Sequence, residues 1–106
     1  MSETELVKTI LLNLGKFFPE SVRAWRNNSG SIKVDGRFVK FGLPGQGDIS
    51  GITKNGTRIE IECKDPKGRQ SEDQKLFQKM IDNFNGIYIV CYTWKDVESV
   101  LTHLVR

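Results

Sequence analysis

The sequence has few of the residues that build zinc sites and disulfide frameworks. Among 106 residues there are two cysteines and one histidine. Cys63 and Cys91 each lie in an apolar, strand-like run and neither belongs to a CxxC pair, so a zinc site is not expected. Both are predicted to be buried free thiols, since unpaired cysteines are among the most often buried residues.

Long apolar runs are also absent. No stretch of the chain approaches the roughly 20 apolar residues that span a bilayer, and the N-terminus lacks a signal-peptide pattern. We therefore expect no membrane partner and a location in the cytoplasm, or in the host-cell cytoplasm if the chain is viral. A hydrophobic content of 38% with 27% charged residues is typical of a folded protein, and 1–106 is predicted to be a single domain.

The charge is moderately basic, with a net value of +3 and a pI near 9.0. This permits nucleic-acid binding without requiring it. Basic residues with interleaved aromatic residues fall in one stretch: Arg23, Trp25, Arg26, Lys33, Arg37, Phe38, Lys40 and Phe41. A second basic group, Lys64, Lys67 and Arg69, follows a pair of acids. Together they are typical of a rim that contacts phosphates, although each could be an ordinary surface charge.

The apolar periodicity predicts three helices. The first begins with a capping box at Ser2–Glu5 and ends before Pro19, and the second begins with another box at Ser71–Gln74. The third follows Thr93. Residues 21–27 are predicted to be a strand, two hairpins are expected over 32–41 and 48–64, and the apolar run 87–92 reads as a buried strand. The predicted fold is α/β in the order αββββαβα, one mixed sheet flanked by helices.

The pattern around residues 42–64 is the most informative for function. A glycine-rich loop, Gly42–Gly47, leads to Asp48, and the following strand carries Glu62 and Lys64 two positions apart. Alternation places Glu62 and Lys64 on one face of that strand. Two carboxylates beside an ammonium suit a divalent cation that activates water against a phosphodiester. Glu60 shares the face and is predicted to be a surface residue.

Two further polar residues have competing explanations. Helical phase places Glu3 in the direction of the apolar stripe that begins at Leu6, so its carboxylate is predicted to point inward, whereas Glu5 points away. The alternative is that Glu3 only compensates the charge of the helix N-terminus. Gln74 could serve the site or could simply occupy the third position of its capping box.

Taken in order, these elements resemble the virus-type replication-repair nuclease (VRR-NUC) family of the PD-(D/E)xK nuclease superfamily, over nearly the whole chain. The matching elements are Glu3, the Gly42–Gly47 loop with Asp48, Glu62-Cys63-Lys64, Lys67-Gly68-Arg69 and Gln74. The stretch 26–30 is also similar to the segment that precedes the active site in archaeal Holliday-junction resolvases. One position departs from the pattern, because Gly47 stands where the superfamily label has proline.

The resemblance implies a restriction-endonuclease-like core and a Mg²⁺- or Mn²⁺-dependent endodeoxyribonuclease. It implies metal ligation by Asp48, Glu62, the backbone carbonyl of Cys63 and, through water or a second ion, Glu3. It assigns catalytic roles to Glu3, Asp48, Glu62, Lys64 and Gln74. In this assignment Lys64 orients or helps to deprotonate the attacking water, and Gln74 holds Lys64 or that water. Flanking phosphates would be held by Arg26, Lys67 and Arg69.

The expected substrate is DNA, and branched DNA such as flaps or Holliday junctions is favoured because so small a domain has few elements to read sequence. Two matched cuts in a four-way junction would require a symmetric homodimer. The alternative is a non-catalytic nucleic-acid-binding or regulatory module that retains the nuclease fold. A nucleotide phosphatase is disfavoured, because no glycine-rich loop that could cradle a phosphate leads into a helix.

Overall fold

A computed structural model describes residues 1–28 and 30–105 of the chain. The helices are α1 (Glu3–Phe17), α2 (Glu72–Asn83) and α3 (Trp94–Val105). The strands are β1 (Val22–Arg26), β2 (Gly30–Val34), β3 (Arg37–Phe41), β4 (Ile49–Thr53), β5 (Arg58–Cys63) and β6 (Ile87–Cys91). Five strands precede α2, in agreement with the strand and the two hairpins predicted there, whereas the order αββββαβα counts one strand too few. The strand predicted at 21–27 and both hairpins are present.

The central sheet has four strands in the order β1-β4-β5-β6. β4 pairs antiparallel with both β1 and β5, whereas β5 and β6 are parallel and are connected through α2. The prediction of a mixed sheet flanked by helices is therefore confirmed for this part of the chain. Because β4 and β5 run in opposite directions, the residue before β4 and the last residues of β5 meet at the same end of the sheet.

The first hairpin is not part of that sheet. β2 and β3 pair only with each other, in a two-stranded ribbon with antiparallel register from Gly30↔Phe41 to Val34↔Arg37. The prediction of a single sheet is wrong in this respect. Both faces of the ribbon are exposed over residues 31–40, so neither face supplies the burial that would dock it onto the central sheet.

The sheet is covered by helices on both faces. α1 and α3 cover one face and α2 covers part of the other. The first layer buries the apolar side chains Leu6, Val7, Ile10, Leu14, Ile49, Ile59, Ile61, Cys63, Ile89, Cys91, Val97 and Leu101. On the second face Phe77 and Ile81 of α2 pack on Tyr88. The residues that alternate with the core side chains of β4 and β5 consequently face the α2 side.

The cysteines lie in register on neighbouring strands. Cys63 and Cys91 are fully buried free thiols, as predicted, with 3.6 Å between their sulfur atoms. The Cys91 thiol donates to the Cys63 sulfur, and this contact together with burial holds the pKa of Cys63 far above its usual range. Cys63 is therefore a protonated core residue.

None of the helices in the described ranges is both long enough and apolar enough to cross a membrane. The longest, α1, has 15 residues and carries charged residues on its exposed side.

Candidate functional site

An open cleft of about 350 Å³ lies where β4 begins and β5 ends. The carboxylates of Asp48 and Glu62 line it, together with Gln74 from the first turn of α2. The remaining walls come from the loop before β4, the end of β3 and the α2 N-terminus: Lys40, Gly42, Leu43, Pro44, Gly45, Gln46, Ser71 and Asp73. The structure thus brings together Asp48, Glu62, Lys64 and Gln74, as predicted.

Glu62 is the most perturbed acid of the cleft. Only 4% of its surface is exposed, and its Oε1 accepts a hydrogen bond from Gln74 Nε2 at 2.7 Å and lies 3.6 Å from Lys64 Nζ. Its Oε2 is buried and has no hydrogen-bond partner among the described residues. Burial and the neighbouring Asp48 carboxylate raise the pKa of Glu62 to about 8, despite the opposing effect of Lys64.

Gln74 completes its capping box and also contacts the cleft, where its hydrogen-bond partner is Glu62 rather than Lys64. Its Oε1 accepts from the backbone N–H of Ser71 at 2.8 Å, while the Ser71 hydroxyl accepts from Gln74 N, which completes the capping box. Its Nε2 is thereby turned toward Glu62. One side chain therefore ties the start of α2 to the carboxylate on β5, and the two alternatives are not exclusive.

Asp48 is held from the neighbouring strand. Its Oδ2 accepts from the backbone N–H of Cys63 at 2.8 Å, and the described residues provide no hydrogen bond to its Oδ1. In an extended strand the N–H and C=O groups of one residue point to the same side, so the Cys63 carbonyl also faces the Asp48 side. Asp48 and Glu62 are each anchored through one oxygen and each keep the second oxygen available.

Lys64 completes the charged cluster at the end of β5. It is 9% exposed, and its backbone N–H donates to Cys91 O at 2.9 Å, which continues the pairing with β6 beyond the last strand residue. Its ammonium faces Glu62 across 3.6 Å. A buried lysine beside a carboxylate is in place to interact with a negatively charged group that enters the cleft.

Glu60 is the residue that sequence reasoning missed. It was predicted to be a surface residue, but it is fully buried. Its Oε1 accepts from Gly47 N at 3.1 Å, and its Oε2 accepts from the Ser50 hydroxyl at 2.5 Å and from Arg58 Nε at 2.8 Å. The prediction failed because Glu60 faces the Ser50 hydroxyl and the Gly47 N–H group rather than water. Which residues lie opposite Glu60 depends on the strand register. The only signal in the sequence was Ser50, small and polar on the same face.

A second polar side chain supports the same segment. Asn27, which follows β1, donates through Nδ2 to Gly47 O at 2.8 Å and to Ser50 Oγ at 2.6 Å. Its backbone N–H donates to Asp48 O at 2.8 Å. The peptide carbonyl groups before and after Asp48 therefore both accept hydrogen bonds from Asn27, which is half-buried.

This network explains why glycine precedes Asp48. Proline has no N–H to donate to Glu60, and its ring would occupy space that is already taken. A Cβ at Gly47 would lie 2.8 Å from the carbonyl oxygen of Ile61, closer than side chains approach backbone. Gly47, which stands where the superfamily label has proline, is thus explained by the buried Glu60. A hydrogen bond to Glu60, rather than the rigid ring of a proline, orients the chain before Asp48.

The other predicted residues lie outside this cluster. Glu3 is exposed in the first turn of α1, so the prediction of an inward carboxylate is wrong. The buried stripe of α1 begins only at Leu6, and acids before it stay in water, where they stabilise the positively charged helix N-terminus. Arg26, Lys67 and Arg69 are exposed, at the end of β1 and in the turn before α2. Within the described residues no three histidine, cysteine, aspartate or glutamate side chains converge as metal ligands.

The raised pKa of Glu62 predicts an unusual pH dependence of stability. The folded protein retains this proton up to about pH 8, whereas the unfolded chain loses it near 4.5. The folded state therefore binds more protons over that interval, and the free energy of unfolding should fall by a few kcal/mol as the pH rises from 5 to 8, since each pKa unit corresponds to about 1.4 kcal/mol. Urea denaturation of Glu62→Gln should show much less decline. The exposed variant Glu72→Gln should keep the wild-type decline, and equal declines in wild type and Glu62→Gln would contradict the assignment.

Replacement of Glu60 tests the buried network. In Glu60→Ala the Gly47 N–H and the Ser50 hydroxyl lose their acceptor inside the protein, at a cost of about 1–3 kcal/mol for each group. We expect the free energy of unfolding to fall by at least about 2 kcal/mol in urea titrations. Glu72→Ala removes an acid from an exposed ion pair with Lys75 and should cost less than about 1 kcal/mol. Similar losses in both variants would show that Glu60 has no special role.

A comparison of the chain with protein-family models found no match, and a comparison with curated proteins found none either. The function is therefore inferred from the geometry of the cleft and from the sequence pattern that predicted it.

Proposed function

We propose that this chain is a divalent-metal-dependent endodeoxyribonuclease that hydrolyses phosphodiester bonds in the cleft. The observation that carries the proposal is the pair of carboxylates at one end of the sheet. Asp48 and Glu62 are each held by a hydrogen bond to one oxygen, and the second oxygen of Glu62 is buried with no hydrogen-bond partner in the described part of the chain. Native proteins rarely leave a buried carboxylate oxygen unsatisfied unless a ligand or ion completes its environment.

The donor set fits Mg²⁺ or Mn²⁺. These cations prefer hard oxygen ligands and often bind through one or two carboxylates plus substrate phosphates and water. The residues that would hold the ion are Asp48, Glu62 and the carbonyl of Cys63, with the exposed Glu3 outside this set. When bound, such a cation supplies a Lewis acid for the phosphate and lowers the pKa of a water molecule. The Cys63 thiol does not take part, because it is protonated in the core.

The protonation of Glu62 agrees with a site for a cation. With a pKa of about 8, its carboxyl group retains a proton at neutral pH, because burial disfavours the charged form and the neighbouring Asp48 carboxylate repels it. A cation in the same place removes that repulsion, so it would displace the proton. Gln74 donates a hydrogen bond to Glu62, and the Cys63 N–H donates one to Asp48. These bonds keep the two carboxylates oriented whether Glu62 carries its proton or a cation is bound, because each uses an oxygen that the ion does not need.

Lys64 is the residue proposed to act on the phosphate and on the attacking water. Its ammonium lies beside the carboxylate pair, nearly excluded from solvent. In that environment a positive charge offsets the negative charge that develops on phosphate oxygens more strongly than it would in water. Lys64 donates hydrogen bonds to those oxygens or orients the water for attack.

DNA is the proposed substrate because a cation lines the acidic cleft and further cations are exposed on the segments next to it in sequence. Lys40 lines the cleft itself, while Arg26 is exposed at the end of β1 and Lys67 and Arg69 in the turn before α2. Phosphate contacts from such residues position the duplex or strand without reading its sequence. We also propose that the chain acts as a symmetric homodimer on branched DNA, since resolution of a four-way junction requires two matched cuts.

Cleavage assays with matched variants test the proposal. Linear, flap, nicked and four-way DNA are incubated with Mg²⁺ or Mn²⁺, and wild type is compared with Asp48→Asn and Lys64→Met. Each variant should lose about 100-fold or more of the rate, as is usual when a group that stabilises the transition state is removed. Lys75→Met, on the exposed ion pair of α2, should cut like wild type.

Two outcomes would contradict the proposal. Cleavage that is unaffected by both Asp48→Asn and Lys64→Met would show that the activity has another source. Salt-sensitive DNA binding without metal-stimulated cleavage of any substrate would instead identify a non-catalytic binding module with this fold.

A further inference from the structure

The β2–β3 ribbon has two chemically different faces. In an antiparallel pair, residues directly opposite each other lie on the same face. The pairs Ser31↔Lys40 and Lys33↔Phe38 therefore form one face, on which two lysines flank an aromatic ring. We call this the basic face. The pairs Ile32↔Val39 and Val34↔Arg37 form the opposite, mainly apolar face.

The basic face is open to solvent. Phe38 is 74% exposed. In the described part of the chain, no ion pair involves Lys33 or Lys40. The one acid of the ribbon, Asp35, lies in the turn with a positive φ of 50°. A two-stranded ribbon without a covered face is marginally stable in water, so a binding partner would stabilise it.

The basic face continues into the acidic cleft. Lys40 belongs to that face by register and also lines the cleft that contains Asp48 and Glu62. The loop that joins β3 to β4 forms one wall of this cleft. A ligand that extends out of the cleft along this side therefore meets Lys40 first. It then meets the Phe38 ring and the Lys33 ammonium, which form the next cross-strand pair on the basic face.

We propose that the basic face binds a nucleic-acid strand with unstacked bases, next to the phosphate held in the cleft. The ammonium groups of Lys33 and Lys40 contact successive phosphates, and one base stacks on the ring of Phe38. Charge complementarity supports this occupant, because lysines alternating with an aromatic ring match the repeat of phosphate and base in a single strand. The inference rests on the proposed nuclease function and specifies its substrate.

The substrate class follows from the aromatic ring. The internal bases of a duplex are stacked on both faces, so only the two end pairs offer a free face to Phe38. Flaps, single-stranded ends and junctions with unpaired bases do offer one. Lysines alone would bind duplex and single strands alike, since both present phosphates. The structure thus favours single-stranded or branched DNA over uninterrupted duplex.

Binding without metal separates this inference from the nuclease proposal. Fluorescence anisotropy of a labelled oligothymidylate and of a blunt duplex is measured in EDTA, where no metal-dependent cleavage occurs. Phe38→Ala should weaken binding of the single strand by about 5- to 150-fold, the loss of one stacked base, and should leave duplex binding nearly unchanged. Phe38→Trp should restore single-strand binding, which shows that the ribbon still folds.

Two further variants complete the test. Lys33→Gln with Lys40→Gln should reduce the slope of log affinity against log salt by about 1.4 for the single strand. Val39→Ala, on the apolar face of the same strand, is the matched control and should bind like wild type.

Three results would overturn the inference. The first is that Phe38→Ala binds the single strand like wild type, and the second is that Val39→Ala loses as much binding as Phe38→Ala. The third is that the ribbon variants change the oligomeric state on light scattering without a change in DNA binding. The last result would identify the ribbon as a contact between two copies of the chain. Failure of the nuclease proposal gives a different pattern, in which Phe38→Ala loses single-strand binding although wild type cuts nothing.

Discussion

A carboxylate that is taken out of water next to a second carboxylate must either keep its proton or share a cation. Glu62 is under this constraint, since it is 4% exposed, lies beside Asp48 and has one oxygen to which residues 1–28 and 30–105 give no hydrogen bond. The surrounding structure maintains the arrangement. Gln74 connects Glu62 to the start of α2, and Cys63 holds Asp48 from the neighbouring strand. The acids are thus kept close together, and the proton that Glu62 retains at neutral pH limits the repulsion between them.

A second buried acid sets the approach to this pair. Glu60 accepts from Gly47 N–H and from the Ser50 hydroxyl, and Asn27 fixes the carbonyl groups of Gly47 and Asp48. Alternate residues of one strand therefore have separate tasks, because Glu60 orients the chain before Asp48 and Glu62 faces the cleft. A proline before Asp48 would be incompatible with this network, since it could not donate to Glu60.

Much of the fold followed from patterns within short segments. The capping box at Ser71, the two hairpins and the same-face placement of Glu62 and Lys64 depend on residues near each other in sequence, and the structure has all of them. The errors concern contacts between distant segments. Glu60 became buried because strand register set it against Ser50. The first hairpin forms a separate ribbon whose residues 31–40 stay exposed. Glu3 stayed in water because the first turn of α1 precedes its buried stripe.

Titration calorimetry of Mn²⁺ binding near pH 7, in buffers with different heats of ionisation, tests the central claim most directly. If the cation takes the place of the proton on Glu62, binding should release close to one proton per ion, because a group with a pKa of about 8 is mostly protonated at that pH. Glu62→Gln should bind the ion more weakly and release no proton, and Asp48→Asn should not bind it measurably. Absence of Mn²⁺ binding to the wild-type protein, or binding with the same proton release in Glu62→Gln, would contradict the account.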